Sequence, residues 1–230
     1  MSMKNIIAVD FAGTLVRKEI IDEANLFRAQ VLQRGLPSAQ EHARNRLLYQ
    51  QNRELVEKLT GVTKKHRILY RSNAGKEVVL KGEQAQNQIA TNLFQIGMYM
   101  VTKKHGKNIF APKLLDVLKK MKKKGYALAI VSGVRTDIIS GMLEIVGLSN
   151  LFEIIKGQPP ILGIGNNELC LEVAQQGKIV AIIGDKKDDI LPAKKLGIRT
   201  VFVTWGTPQG GEEKIAEMVV REPKELLGVF

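Results

Sequence analysis

Three short apolar runs in this 230-residue chain each stop at a polar residue able to do chemistry. The run Ile6 to Val9 meets Asp10, in Val9-Asp10-Phe11-Ala12-Gly13-Thr14-Leu15. Ile130-Val131 meets Ser132-Gly133. Ile179 to Ile183 meets Gly184-Asp185, with Asp189 four positions further on. A carboxylate can attack as a nucleophile and split one hard displacement into two easier ones. Clustered carboxylates also suit magnesium, which takes a few of their oxygens and keeps several waters. Taken singly, each residue has a plainer role, because Asp or Ser after a strand commonly caps the next helix or fixes a turn. Together they point to a site, since the ends of successive parallel strands border one crevice.

The surrounding pattern supplies such strands. From Pro112 onward, helices expected at Pro112 to Lys123, Asp137 to Ile145, Glu168 to Gln175 and Ile190 to Leu196 alternate with strands. The strands are expected at Ala127 to Val131, Phe152 to Ile155, Ile179 to Ile183 and Thr200 to Val203. This alternation implies a parallel sheet covered on both faces, and the first strand shares its character. The stretch between them reads differently. Glu19 to about Lys58 is helical and polar, broken at Gly35-Leu36-Pro37-Ser38. Asn73-Ala74-Gly75 before Val78-Val79-Leu80 suggests a hairpin, and a helix is expected from Glu83 to Met100. The expected architecture is α/β, a doubly wound parallel sheet with its core at residues 1–17 and 108–230. A mainly helical cap, residues 18–107, is inserted after strand one, beside the ligand-binding ends of the strands.

Composition narrows the function classes. The apolar fraction of 44% and charged fraction of 25% are those of a globular chain. No apolar run is long enough to cross a bilayer, and the N-terminal one is too short for a signal sequence. Cys170 is the single cysteine, so no intrachain disulfide can form. The expected location is cytoplasmic, with no membrane partner. The net charge of +12 admits nucleic acid, an anionic membrane surface or small anions as partners. Its densest run, Lys119-Lys120-Met121-Lys122-Lys123-Lys124, ends a helical pattern and has no interleaved aromatics, which favours a solvated helix end over a nucleic-acid surface. A monomer and a homodimer are both open.

The ordered set Asp10-Phe11-Ala12-Gly13-Thr14, Ser132 after an apolar strand, and Gly184-Asp185 with Asp189 resembles the haloacid dehalogenase-like hydrolase superfamily. The resemblance spans residues 5–16 and 108–206 and implies a Rossmann-like core with an aspartate nucleophile, most members being magnesium-dependent phosphatases. It implies that Asp10 accepts the phosphoryl group and that Asp10, the Ala12 carbonyl, Asp185 and Asp189 hold Mg2+. Ser132 then hydrogen-bonds a phosphoryl oxygen, with Thr14 and Gly133 also at the substrate. The implied ligand is a small phosphorylated metabolite. The family also places a lysine beside the nucleophile. Lys156, after the strand ending at Ile155, is the candidate, while Lys178 is expected at the far end of its strand.

Ala12 departs from the family pattern. Phosphatases of the family usually carry a second Asp there, which protonates the leaving group and activates water. Loss of such a general acid–base typically removes a factor of about 10²–10⁴ in rate. Three readings follow: a phosphatase acting on good leaving groups or using a substitute acid; a member of the branches lacking this Asp; or a degenerate binding module. Phosphonoacetaldehyde hydrolases have a similar Asp-x-Ala-Gly-Thr and form a Schiff base on a cap lysine. Gly61-Val62-Thr63-Lys64-Lys65-His66 resembles a cap specificity loop and puts Lys64 near that position, although the plainer reading is a basic turn that attracts phosphate. His42, His66 and His105 lack metal-ligand spacing. Gly163-Ile164-Gly165 lacks the third glycine of a dinucleotide fingerprint and reads as a loop before a helix capped near Asn166 or Asn167. Trp205-Gly206 reads as packing and a turn.

Overall fold

In a computed structural model that describes residues 3–32, 62–63, 67–71, 77–80, 82–158 and 166–230, the first apolar run forms β1 (Asn5–Val9). Its side chains alternate between two cores. Ile7 and Val9 face one, Ile6 and Ala8 the other, which is the signature of a strand covered on both sides. The chain continues through α1 (Lys18–Leu32), the short strands β2 (Val62–Thr63), β3 (Arg67–Arg71) and β4 (Glu77–Leu80), and α2 (Gly82–His105). The second half alternates: α3 (Leu114–Lys123), β5 (Ala127–Arg135), α4 (Thr136–Ile145), β6 (Ile154–Gln158), α5 (Asn166–Ala174), β7 (Lys178–Gly184), α6 (Lys187–Lys195) and β8 (Arg199–Val203). It closes with β9 (Met218–Val220) and α7 (Leu226–Val229).

Six strands form one parallel sheet in the order β6-β5-β1-β7-β8-β9. The fold is thus the expected α/β, Rossmann-like arrangement, with β1 central between β5 and β7. One face is covered by α3 and α4, the other by α5 and α6. In α3, Leu114, Val117, Leu118 and Met121 recur at helical spacing and are all buried, leaving the lysines outside. Two lysines at the end of this helix serve the fold itself. The Lys122 ammonium donates to the carbonyls of Asn150 at 2.8 Å and Leu151 at 3.0 Å, and Lys124 reaches the Phe230 carbonyl at 2.7 Å. Among the described residues, no helix is long and apolar enough to cross a membrane.

Several features differ from expectation, among them β6, which runs from Ile154 to Gln158 and so contains Lys156 rather than ending before it. β5 does not stop at Val131 but runs through Ser132 to Arg135, with a register shift against β6 between those two residues. β9 was not foreseen, because three residues are too few to show a strand periodicity. Within the inserted stretch, β2, β3 and β4 form an antiparallel sheet, in which Leu69 pairs with Val79 and Tyr70 with Val78. Helices α1 and α2 pack closely where Gly97 lies, since a Cβ there would sit 2.9 Å from the Ala24 carbonyl. The two crossings between the insertion and the sheet run side by side. Arg17 N–H donates to the Ile109 carbonyl at 2.9 Å, Ala111 N–H to that of Leu15 at 3.0 Å, and Val16 bridges Phe110.

Candidate active site

Asp10 follows β1 directly, and its N–H is tied to the Ile183 carbonyl of β7 at 2.9 Å. Asp185 follows β7 in the same way, and Asp189 sits in the first turn of α6. One carboxylate oxygen from each of Asp10, Asp185 and Asp189 lies within 4.8 Å of the others, and all three residues are buried. Adjacent strands of a parallel sheet end side by side, which brings residues distant in sequence to one point. Ser132 reaches the same point from β5, its hydroxyl donating to Asp10 Oδ1 at 3.1 Å.

The carboxylates are individually oriented. Asp185 Oδ1 accepts from the Thr14 hydroxyl at 3.0 Å, while its Oδ2 accepts from the Thr207 N–H at 2.7 Å and hydroxyl at 3.0 Å. Thr207 is delivered by the loop after β8, which Trp205 anchors by donating its indole N–H to the Thr14 carbonyl at 3.0 Å. Gly13, at φ 110°, gives Asp185 its space: a Cβ there would lie 2.3 Å from Oδ2. Asp189 Oδ2 accepts from the Lys186 N–H at 3.2 Å and Oδ1 from the Asn166 amide at 3.1 Å. The same Asn166 amide donates to the Asp188 carbonyl at 3.1 Å. Pro192, four positions on in α6, has no N–H for that carbonyl, so Asn166 supplies the donor.

Crowding three acids has an electrostatic consequence. Burial, then the charges of Asp189 and Asp185, push the Asp10 carboxyl well above the ordinary range, while the Lys186 ammonium pulls the other way. Burial and then Asp185 push Asp189 up to about 7. The cluster is therefore short of positive charge. A hard divalent cation bound by oxygens fits that deficit and that donor set, and Ala12, beside the carboxylates, has a backbone carbonyl to add. Cys170 takes no part: burial, then Asp189, push its thiol up to about 12.

A cleft of about 680 Å³ opens over the cluster. Asp10, Ala12, Ser132, Gly133 and Lys186 line it from the sheet side, and Thr91, Phe94 and Gln95 of α2 from the other. Gln95 Oε1 also accepts the Arg135 N–H at 3.1 Å, joining α2 to the shifted stretch of β5. The structure treats other expected residues differently. Lys156 is turned to Glu172 of α5 at 2.7 Å and does not line the cleft, because its place in β6 faces that helix. Thr14 is fully buried and commits its hydroxyl to Asp185. Lys64 lies outside the described residues. Lys186, Thr207 and Gln95 were not singled out from the sequence, and Asn166 was read only as a helix cap. For Lys186 the signal was present, in its place directly after Asp185.

Residues 7–203 match the model of the haloacid dehalogenase-like hydrolase family. A phosphoglycolate phosphatase of Pasteurella multocida is 30% identical over 104 residues, covering 43% of this chain and 46% of that protein. The chain spans just under half the length of the first curated relatives it matches. A haloacid dehalogenase-like hydrolase from Streptococcus pneumoniae shares the fold at TM-score 0.65 and 20% identity, over 99% of this chain and 98% of that one. So does a HAD-hydrolase of Bacillus subtilis bound to magnesium, at TM-score 0.60 and 15% identity, over 99% of each chain. With the family's match running from β1 to β8 and the strand-end acids gathered at one cleft, the chain belongs to the haloacid dehalogenase-like hydrolases.

Proposed function

We propose that the chain is a phosphatase acting on a small phosphorylated substrate through an aspartyl-phosphate on Asp10. The observation that carries this reading is the cluster of Asp10, Asp185 and Asp189 with the Ser132 hydroxyl on Asp10, set at the floor of the cleft. An Asp10 oxygen attacks phosphorus, and the substrate's ester oxygen leaves with the bonding electron pair. Water then attacks the phosphorus of the aspartyl-phosphate, releasing inorganic phosphate and restoring the carboxylate. Asp10, Asp185, Asp189 and the Ala12 carbonyl hold a magnesium ion, which supplies positive charge against the transferred group. Ser132 and the Gly133 backbone orient the phosphoryl oxygens.

Lys186 takes the role that the resemblance gave to Lys156. Both the phosphoryl group and Asp10 need a cation, and Lys186 lines the cleft and acts on Asp10, whereas Lys156 is paired with Glu172. With Ala12 in place of an acid, the leaving oxygen draws its proton from solvent, so esters of weakly basic alcohols react best. The insertion, residues 18–107, acts as the cap and sets access through Thr91, Phe94 and Gln95. The phosphoglycolate phosphatases among the relatives make small phosphorylated acids the first substrates to try.

The test is phosphate release from an aryl phosphate, from phosphoglycolate and other metabolite phosphates, and from phosphonoacetaldehyde, with and without magnesium. Magnesium-dependent release lost in Asp10→Asn supports the proposal. Release no faster than in Asp10→Asn on every substrate overturns it and leaves the binding-module reading. Release confined to phosphonoacetaldehyde replaces ester hydrolysis by carbon–phosphorus cleavage.

A further inference from the structure

A second cleft, of about 660 Å³, lies where the chain crosses between the insertion and the sheet, and it shares no lining residue with the catalytic cleft. Arg17, Lys107, Lys113 and Lys119 line it, with Asp116 as the single acid among the described residues. Asp116 is mostly exposed and makes only a long ion pair with Lys119, at 3.9 Å, so it offsets little of the cleft's charge. His105, also at the rim, is already turned to Glu23 at 2.8 Å.

Two features mark this as more than a basic stretch of surface. The Arg17 Nε is buried, and neither it nor the rest of the guanidinium has a partner among the described residues. Guanidinium stays charged in proteins, and a buried N–H without an acceptor is costly, so this side chain is set for an acceptor that it does not find among the described residues. Lys113 is, among the described residues, the one non-glycine with positive φ, at 64°. Strained backbone of this kind collects at ligand clamps. Lys113 also occupies the N-cap of the ten-residue α3 and offers no side-chain acceptor there, so the positive end of that helix stays uncapped toward the same region.

We infer that this cleft is a second anion site, separate from the catalytic one, for a small oxyanion of the phosphate class. Arginine forks, lysine point charges and an uncapped helix start are complementary to a tetrahedral, multiply charged group with oxygens on all sides. A carboxylate, with two oxygens in one plane, would leave most of these donors unused. The site joins Arg17 on the outgoing crossing to Lys107 and Lys113 on the returning one, so an occupant ties the two crossings together.

The test is equilibrium dialysis of the full chain against labelled inorganic phosphate, at low ionic strength and with chelator present. A Ser132→Ala/Lys186→Gln variant removes phosphate contacts in the catalytic cleft. We expect that variant to retain bound phosphate, and Arg17→Gln on that background to weaken binding by about tenfold or more, the worth of a charge-assisted hydrogen bond. Lys113→Gly, which removes a cation where the backbone favours glycine, should weaken it as well without endangering the fold. Arg17→Gln alone should keep aryl-phosphate turnover within about twofold of the parent chain. Loss of all bound phosphate in the catalytic-cleft variant overturns the inference. So does an isotherm unchanged by both Arg17→Gln and Lys113→Gly.

Discussion

Raising the pH in the absence of divalent cations should destabilise this protein, through the acids that form its site. Asp189 ionises near 3.8 in an unfolded chain and near 7 in the folded one, where burial and Asp185 oppose its charge. The folded state therefore holds a proton that the unfolded state has lost, and stability falls as pH rises between those values. From about pH 5 to about pH 8 the window covers roughly two pH units of this difference, or about 3 kcal/mol. Asp10 is shifted in the same direction and adds to the slope. For a chain of this length each kcal/mol moves Tm by ~2–4 °C, so Tm should drop by ~6–12 °C across that range. Thermal melts followed by circular dichroism in chelator measure this directly. Saturating magnesium should restore the loss at the upper pH, by about 2.7 kcal/mol at a hundredfold excess over Kd. The Asp10→Asn/Asp189→Asn double variant should be flat over the same range in chelator. A parent Tm that is constant or rises with pH, or a double variant keeping the full slope, would refute the account of the cluster.

Three other outcomes follow from the geometry. Lys186→Gln should lower kcat/KM on an aryl phosphate by about 10–100-fold, the worth of a hydrogen bond to a charged group, while Lys156→Gln stays within about twofold. Steady-state kinetics of the pair decide between the two lysines. Ala12→Asp should raise kcat on an alkyl phosphate by about 10²-fold, the lower end of what a general acid supplies, and change an aryl phosphate far less. Lys113→Gly should raise stability by about 1 kcal/mol by relieving the left-handed conformation, read as a higher Tm.

The sheet was legible because its strands are nearly continuous apolar runs bounded by turns, and Asp10 and Asp185 could be placed at strand ends from that pattern alone. Ser132 was placed at a strand end too, yet β5 runs past it. The polar pair Ser132-Gly133 looks like a terminus, and tertiary partners, the pairing with β6 and the Gln95 amide oxygen, hold the stretch extended. Asn166 read as a helix cap, whereas its amide serves Asp189 and the carbonyl stranded by Pro192. Thr207 carried no local signal, since its bond to Asp185 exists only once the loop after β8 folds back on the sheet. Lys156 was favoured on sequence position, and a tertiary neighbour, Glu172, redirected it.

The pairing of Leu15–Arg17 with Ile109–Ala111 bears on how such a chain can change over evolutionary time. The chain leaves the sheet and returns to it along one seam, so the stretch between behaves as a cassette. The entropy of closing a loop grows only logarithmically with its length. Cassettes of quite different size can therefore hang from the same seam at similar cost, with strand order and strand-end acids unchanged. A recombination event at the seam would exchange that stretch whole and leave the sheet and its strand-end acids in place.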